Sequence, residues 1–85
     1  MLGTRSATER LAQLLALMVE VDGRQREDGT VLCRRLTQED LAKLVGSTRQ
    51  WVSTTLERFC EAGLLEITPG HFVVRDKERL IALGA

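Results

Sequence analysis

Gly46 sits between two short segments of helical periodicity, and that arrangement restricts the chain more than any other feature. Before it, Thr37 can cap a helix with Asp40 three residues on, and Leu41, Leu44 and Val45 supply an apolar face. After it, Ser47 and Gln50 have the spacing of a second capping box. Val52, Leu56 and Phe59 then recur on one side of the helix so opened, with Cys60 at the margin. Glycine enters the φ > 0 region without the steric cost of a Cβ, so one helix can stop and the next begin almost at once. Gly63 closes the second helix. The two segments read as a helix-turn-helix whose second member runs from 47 to 60.

The flanking segments say what this pair packs against. Ser6 and Glu9 form another capping-box spacing, and Leu11, Leu14, Leu15 and Met18 fall on one helical face, predicting a helix from Thr8 to Val21. Residues 22–29 are polar, bracketed by Gly23 and Gly29, and read as a loop. Thr30 to Leu36 is rich in β-formers and predicts a strand. Leu64–Ile67 and Phe72–Val74 predict two more strands around Thr68-Pro69-Gly70-His71, whose Pro-Gly centre suits a type II turn. Asp76 can cap a last helix carrying Leu80, Ile81 and Leu83. The fold expected is α+β: a winged helix-turn-helix with three main helices, a short β-hairpin wing and a short C-terminal helix, forming a single domain over 1–85.

Composition narrows the function classes. A chain of 85 residues can bury only one modest core. Its 44% hydrophobic and 28% charged residues are ordinary for a globular protein. No apolar run approaches the ~18 residues of a membrane span and no secretory signal opens the chain, so a cytoplasmic location is expected. Cys33 and Cys60 form no C-x-x-C pair and His71 is the one histidine, which leaves no zinc or redox motif; both thiols are expected buried and reduced. Paired carboxylates, a nucleophile–histidine constellation and a phosphate loop are all missing, so neither an enzyme nor a cofactor or metal site is expected. The net charge of zero gives no support to nucleic-acid binding. Residues 34–60 are mildly biased, with Arg34, Arg35, Lys43, Arg49 and Arg58 against Glu39, Asp40 and Glu57.

The order of elements points to DNA more firmly than charge does. In a winged helix-turn-helix the first helix braces on the DNA backbone and the second lies in the major groove, its first turns nearest the bases. That second helix needs an apolar face and a polar one. At 100° per residue, Val52, Leu56 and Phe59 share an arc with Gly63, while Gln50, Thr54, Glu57 and Arg58 occupy the opposite one, flanked by Trp51 and Ser53. Arginine can pair bidentately with guanine and glutamine with adenine. Arg49 and Gln50 are the candidate base readers, with Ser53 and Thr54 as helpers. Thr37, Gln38, Ser47, Thr48, Trp51, Arg58 and His71 are candidates for the DNA backbone, Ser47 and Thr48 because helix N-termini attract phosphate. Each has a plainer reading: Gln50 a cap, Trp51 a wedge against the preceding helix, Arg58 a surface pair with Glu57 or Glu61, His71 an exposed turn residue. Arg34 and Arg35 read as a solvated charge pair.

The stretch LTQEDLAKLVGSTRQWVSTTLERFCEAGLLEITPGHFVV, residues 36–74, resembles the DNA-binding domain of Crp–Fnr transcription regulators. Thr37, Leu41, Ala42, Val45, Gly46, Thr48, Arg49, Val52, Ser53 and Leu56 match that family's pattern without a gap, and Gly63-Leu64-Leu65 matches its helix exit. RLAQLLALM, residues 10–18, resembles the helix that opens the domain. Two positions depart: Gln50 stands where the family usually has glutamate, and Thr54 where it often has arginine, so the family's base preference does not transfer intact. The resemblance implies double-stranded DNA as partner, a dimer in a full-length regulator, and a monomer or weak dimer for these residues alone. It also implies that an effector such as cyclic AMP, haem or an iron–sulfur cluster binds in a sensing domain outside this sequence. The competing function is a winged-helix module for protein–protein contact, favoured by the zero net charge and by the missing arginine at Thr54.

Overall fold

The computed structural model describes residues 6–27, 29–32, 37–68 and 71–84. Helix α1 (Ala7–Asp22) opens on the expected capping box: Glu9 donates its amide to Ser6 Oγ at 3.2 Å and returns a carboxylate to the Ser6 amide at 2.8 Å. Leu11, Leu15, Met18 and Val19 are buried on its inner side.

The chain then forms a hairpin of β1 (Gly23–Arg26) and β2 (Gly29–Leu32), where the sequence suggests a loop over 22–29. The reason is physical. All four residues of β1 are exposed, so the strand carries no apolar alternation that could betray it. Strand β2 covers Thr30–Leu32 of the expected Thr30–Leu36 and begins one residue earlier; residues 33–36, with Cys33, Arg34 and Arg35, lie outside the described residues. Gly23 is required by space: a Cβ there would collide with the Val19 carbonyl oxygen, which accepts the Gly23 amide at the end of α1.

Helices α2 (Gln38–Val45) and α3 (Arg49–Glu61) follow, then β3 (Leu65–Thr68), β4 (His71–Val74) and α4 (Lys77–Gly84). The strands form one antiparallel sheet in the order β1-β2-β4-β3. The expected wing, β3–β4, is therefore half of a larger sheet, joined to β2 through Thr30–Val74, Val31–Val73 and Leu32–Phe72. Thr68 pairs with His71, leaving Pro69 and Gly70 as the connection; the type II turn expected there lies outside the described residues.

One core takes side chains from every helix and from β2, β3 and β4: Leu11, Leu15, Leu32, Leu41, Val52, Leu56, Leu65, Val74 and Leu80 are all essentially fully buried. Leu44 is an exception to the expected face of α2. It is 61% exposed, and Ala42 takes the inward place beside Leu41 and Val45. Asp76 caps α4 as expected, accepting from the Arg79 amide at 3.1 Å. This helix lies antiparallel against α1, with Lys77 paired to Glu20 at 2.9 Å at one end and Gly84 against the Gln13 backbone at the other.

Candidate nucleic-acid interface

The geometry of the interface begins at the end of α2. Its N-terminus is a closed box, in which Asp40 donates its amide to Thr37 Oγ1 at 3.0 Å and accepts the Thr37 amide at 3.1 Å. The Thr37 amide, then its hydroxyl, with a smaller contribution from Lys43, holds the Asp40 carboxyl below its ordinary pKa. At the other end Gly46 takes φ 74°, ψ 39°, and the Ser47 amide returns to the Ala42 carbonyl at 2.8 Å. That left-handed step turns the chain sharply, and Gly46 has no atom near its missing Cβ, so conformation alone demands glycine. Arg10 of α1 clamps the same turn, donating through Nε and Nη2 to the Val45 carbonyl at 3.2 and 2.9 Å.

Helix α3 starts differently from the sequence expectation. Its N-cap is Thr48, whose Oγ1 accepts the Trp51 amide at 3.1 Å; Ser47 stays in the turn. The Ser47–Gln50 capping box is thereby overturned. With the cap one residue later, the position that would return a side chain is Trp51, which has no group to accept the Thr48 amide. Gln50 is exposed and released from capping, so the competition between capping and base reading disappears. The first turn contains no acidic residue. The amides of Arg49 and Gln50 have no partner within the helix, which leaves an open, partly positive terminus.

The two faces of α3 come out as its spacing indicates. Val52, Leu56 and Phe59 are buried, as is Thr55, which sequence reasoning left out. The signal for Thr55 was its place at the edge of the inner arc, next to Phe59; its hydroxyl donates to the Trp51 carbonyl at 2.8 Å, which makes the burial tolerable. Arg49, Gln50, Thr54, Glu57 and Arg58 are exposed, and Ser53 is half-buried. Trp51 is half-buried and packs against the core. Among the described residues Arg58 forms no ion pair with Glu57 or Glu61. The helix ends with Gly63 at φ 78° and the Leu64 amide on the Phe59 carbonyl at 3.0 Å, which swings the chain directly into β3.

The remaining candidates lie on the rim. Thr37 is exposed but its hydroxyl serves the α2 cap, and Gln38 follows it half-buried in the first turn. His71 is exposed at the wing tip, where its carbonyl accepts the Thr68 hydroxyl at 3.1 Å. Cys60 is half-buried rather than buried. Burial, reinforced by Glu57, Glu66 and Glu61 against one hydrogen bond with the Ile67 backbone, pushes its thiol pKa up and keeps it protonated. Among the described residues no cluster of three or more His, Cys, Asp or Glu is placed to hold a metal, and no helix is long and apolar enough to cross a membrane.

The sequence matches the model of the Crp-like helix-turn-helix domain over residues 9–83. It is 31% identical over 71 residues to a CRP-like cAMP-activated global transcriptional regulator of Mycobacterium tuberculosis, covering 84% of this chain and 32% of that protein. Its structure superposes with a TM-score of 0.88 on the CO-dependent transcription factor CooA from Carboxydothermus hydrogenoformans, at 30% identity over 94% of this chain and 37% of the other. A CRP/FNR family transcriptional regulator from Thermus thermophilus gives a TM-score of 0.82 at 26% identity, covering 95% of this chain and 41% of the other. The chain thus spans about a third of the length of the first two of these relatives.

Proposed function

This chain belongs to the Crp-like helix-turn-helix domain family, and from that premise we propose that it binds double-stranded DNA sequence-specifically in transcriptional regulation, with α3 in the major groove. The observation that carries the reading is the start of α3: a helix N-terminus free of acid, with Arg49 and Gln50 exposed beside it and Gln50 released from capping. Unpaired amides and the helix dipole favour a phosphate at that point and fix the depth of the helix in the groove. Arg49 and Gln50 then meet base edges, each good bidentate pair contributing about 1–3 kcal/mol of discrimination. Ser53 and Thr54 contribute one turn further on.

Thr48 and Ser47 beside the open amides, Thr37 and Gln38 at the start of α2, Arg58 on the outer face of α3 and His71 on the wing serve the DNA backbone. Trp51 acts chiefly as the wedge that seats α3, with only its open edge turned to a phosphate. Two copies on half-sites about one helical turn apart would bind more tightly than the single copy, in a regulator whose sensing domain lies outside these residues.

Affinity for a randomised duplex pool measured against salt tests this. Binding that falls steeply with salt and enriches a defined half-site is expected, because contacts with phosphate release counterions. A flat salt response, or no shift with any duplex, would replace this reading with that of a protein-contact module.

A further inference from the structure

Thr54 and Thr55 are adjacent on α3 and make the same internal bond, one in solvent and the other in the core. Thr55 donates its hydroxyl to the Trp51 carbonyl at 2.8 Å and is buried, so its methyl group belongs to the core. Thr54 donates its hydroxyl to the Gln50 carbonyl at 3.1 Å and is exposed. The only proton Thr54 could offer a base is thus committed to the backbone of its own helix, as threonine readily does four residues on. What this exposed side chain still has to offer a partner is an apolar methyl group and the lone pairs of an oxygen drawn against the helix. The side chain stands one turn after Gln50, on the face that the proposed function assigns to the groove.

We propose that Thr54 selects thymine by packing its methyl group against the C5-methyl group of the base. The inference rests on the groove reading of α3 given above. Among the groups on major-groove edges the thymine methyl is the apolar one, whereas guanine offers only acceptors, which a committed hydroxyl cannot serve. The rival for the same side chain is an acceptor role toward the amino group of adenine or cytosine. That role uses the oxygen and needs no methyl group. The contact removes about one methylene's worth of apolar surface from water, which corresponds to roughly a fourfold gain in affinity.

The test starts from duplexes that the 85-residue chain enriches from a random pool at low salt. Each thymine in turn is replaced by deoxyuridine, which removes only the C5-methyl group. One position is expected to lose about fourfold in affinity with the unaltered chain and with Thr54→Val, which keeps branched methyl groups without a hydroxyl. With Thr54→Ser, which keeps the hydroxyl without the methyl group, deoxyuridine is expected to make no difference there. Sensitivity that persists in Thr54→Ser, an enriched site with no deoxyuridine-sensitive thymine, or a preference for adenine or cytosine that Thr54→Val abolishes would each overturn the proposal while leaving DNA recognition standing. Failure to enrich any duplex would overturn both readings together.

Discussion

Helices α2 and α3 are joined by Gly46, Ser47 and Thr48, both start at a threonine, and yet their N-termini are finished in different ways. At α2 the threonine is answered by Asp40, and Glu39 adds a second carboxylate to the first turn. The dipole and the orphan amides are met from within the chain. At α3 the threonine caps alone, Trp51 occupies the answering position, and no acid follows. The N-terminus of α2 is self-sufficient; that of α3 is left open, as the proposed reading role requires. Had α3 been closed as α2 is, an acidic side chain at position 51 would answer the Thr48 amide from within the chain.

The contrast can be broken at the turn that both helices share. Gly46→Ala forces a side chain into the left-handed region with no clash to relieve, and should lower stability by about 1–2 kcal/mol in a denaturant titration. An unchanged midpoint would mean that the turn relaxes and the spacing between the helices is not strict.

Next come the two caps. Thr37→Ala and Thr48→Ala should each cost about 1 kcal/mol of stability. Thr48→Ala is expected to weaken DNA binding more than Thr37→Ala does, beyond what the loss of folded protein explains, since it disorders the open terminus whereas Thr37→Ala removes a single backbone contact. Equal effects on binding would erase the distinction drawn between the two helices.

A smaller effect of split sign sharpens it further. Gln50→Glu restores the carboxylate that the family usually carries at this position. A negative charge in the first turn should stabilise α3 by about 0.3–1 kcal/mol. Base preference should move at the position Gln50 reads, and a gain in stability with an unaltered half-site would show that Gln50 reads nothing.

The smallest effect is one of pH. The Asp40 carboxyl is held below its ordinary value in the folded protein, so its stabilising contribution is present above the unfolded value near 3.8 and is lost as the pH falls through the folded one. Thermal midpoints of the parent chain should therefore decline on acidification in that range more than those of Asp40→Asn. No corresponding effect is expected at the start of α3, which has no acid to titrate.

What could be read in advance follows the same division between groups satisfied locally and groups satisfied by partners. Capping boxes at Ser6 and Thr37, the glycine turn, and the apolar stripes of α1 and α3 are local codes, and the structure contains them. Strand β1 is not legible because every residue in it is exposed; it exists only as the partner of β2, which is itself fastened to β4. Leu44 looks like core by spacing, but the eight residues of α2 turn a narrow face inward and Ala42 fills it. Spacing misplaces the cap of α3 by one residue because Ser47 and Thr48 are both able caps, and the return of the Ser47 amide to the Ala42 carbonyl decides between them. That single step changes the candidate interface most, since it frees Gln50. The commitment of Thr54 to its own backbone is likewise invisible until the helix is in place.

The claim that the open start of α3 reads DNA is tested most directly by selecting duplexes from a random pool with the parent chain and with Arg49→Ala. The parent should enrich one half-site. Arg49→Ala should stay folded, since Arg49 is exposed and makes no contact that the fold needs, and should lose the preference at one base pair with an affinity penalty of about 1–3 kcal/mol. Enrichment of the same half-site to the same degree by both proteins would contradict the account.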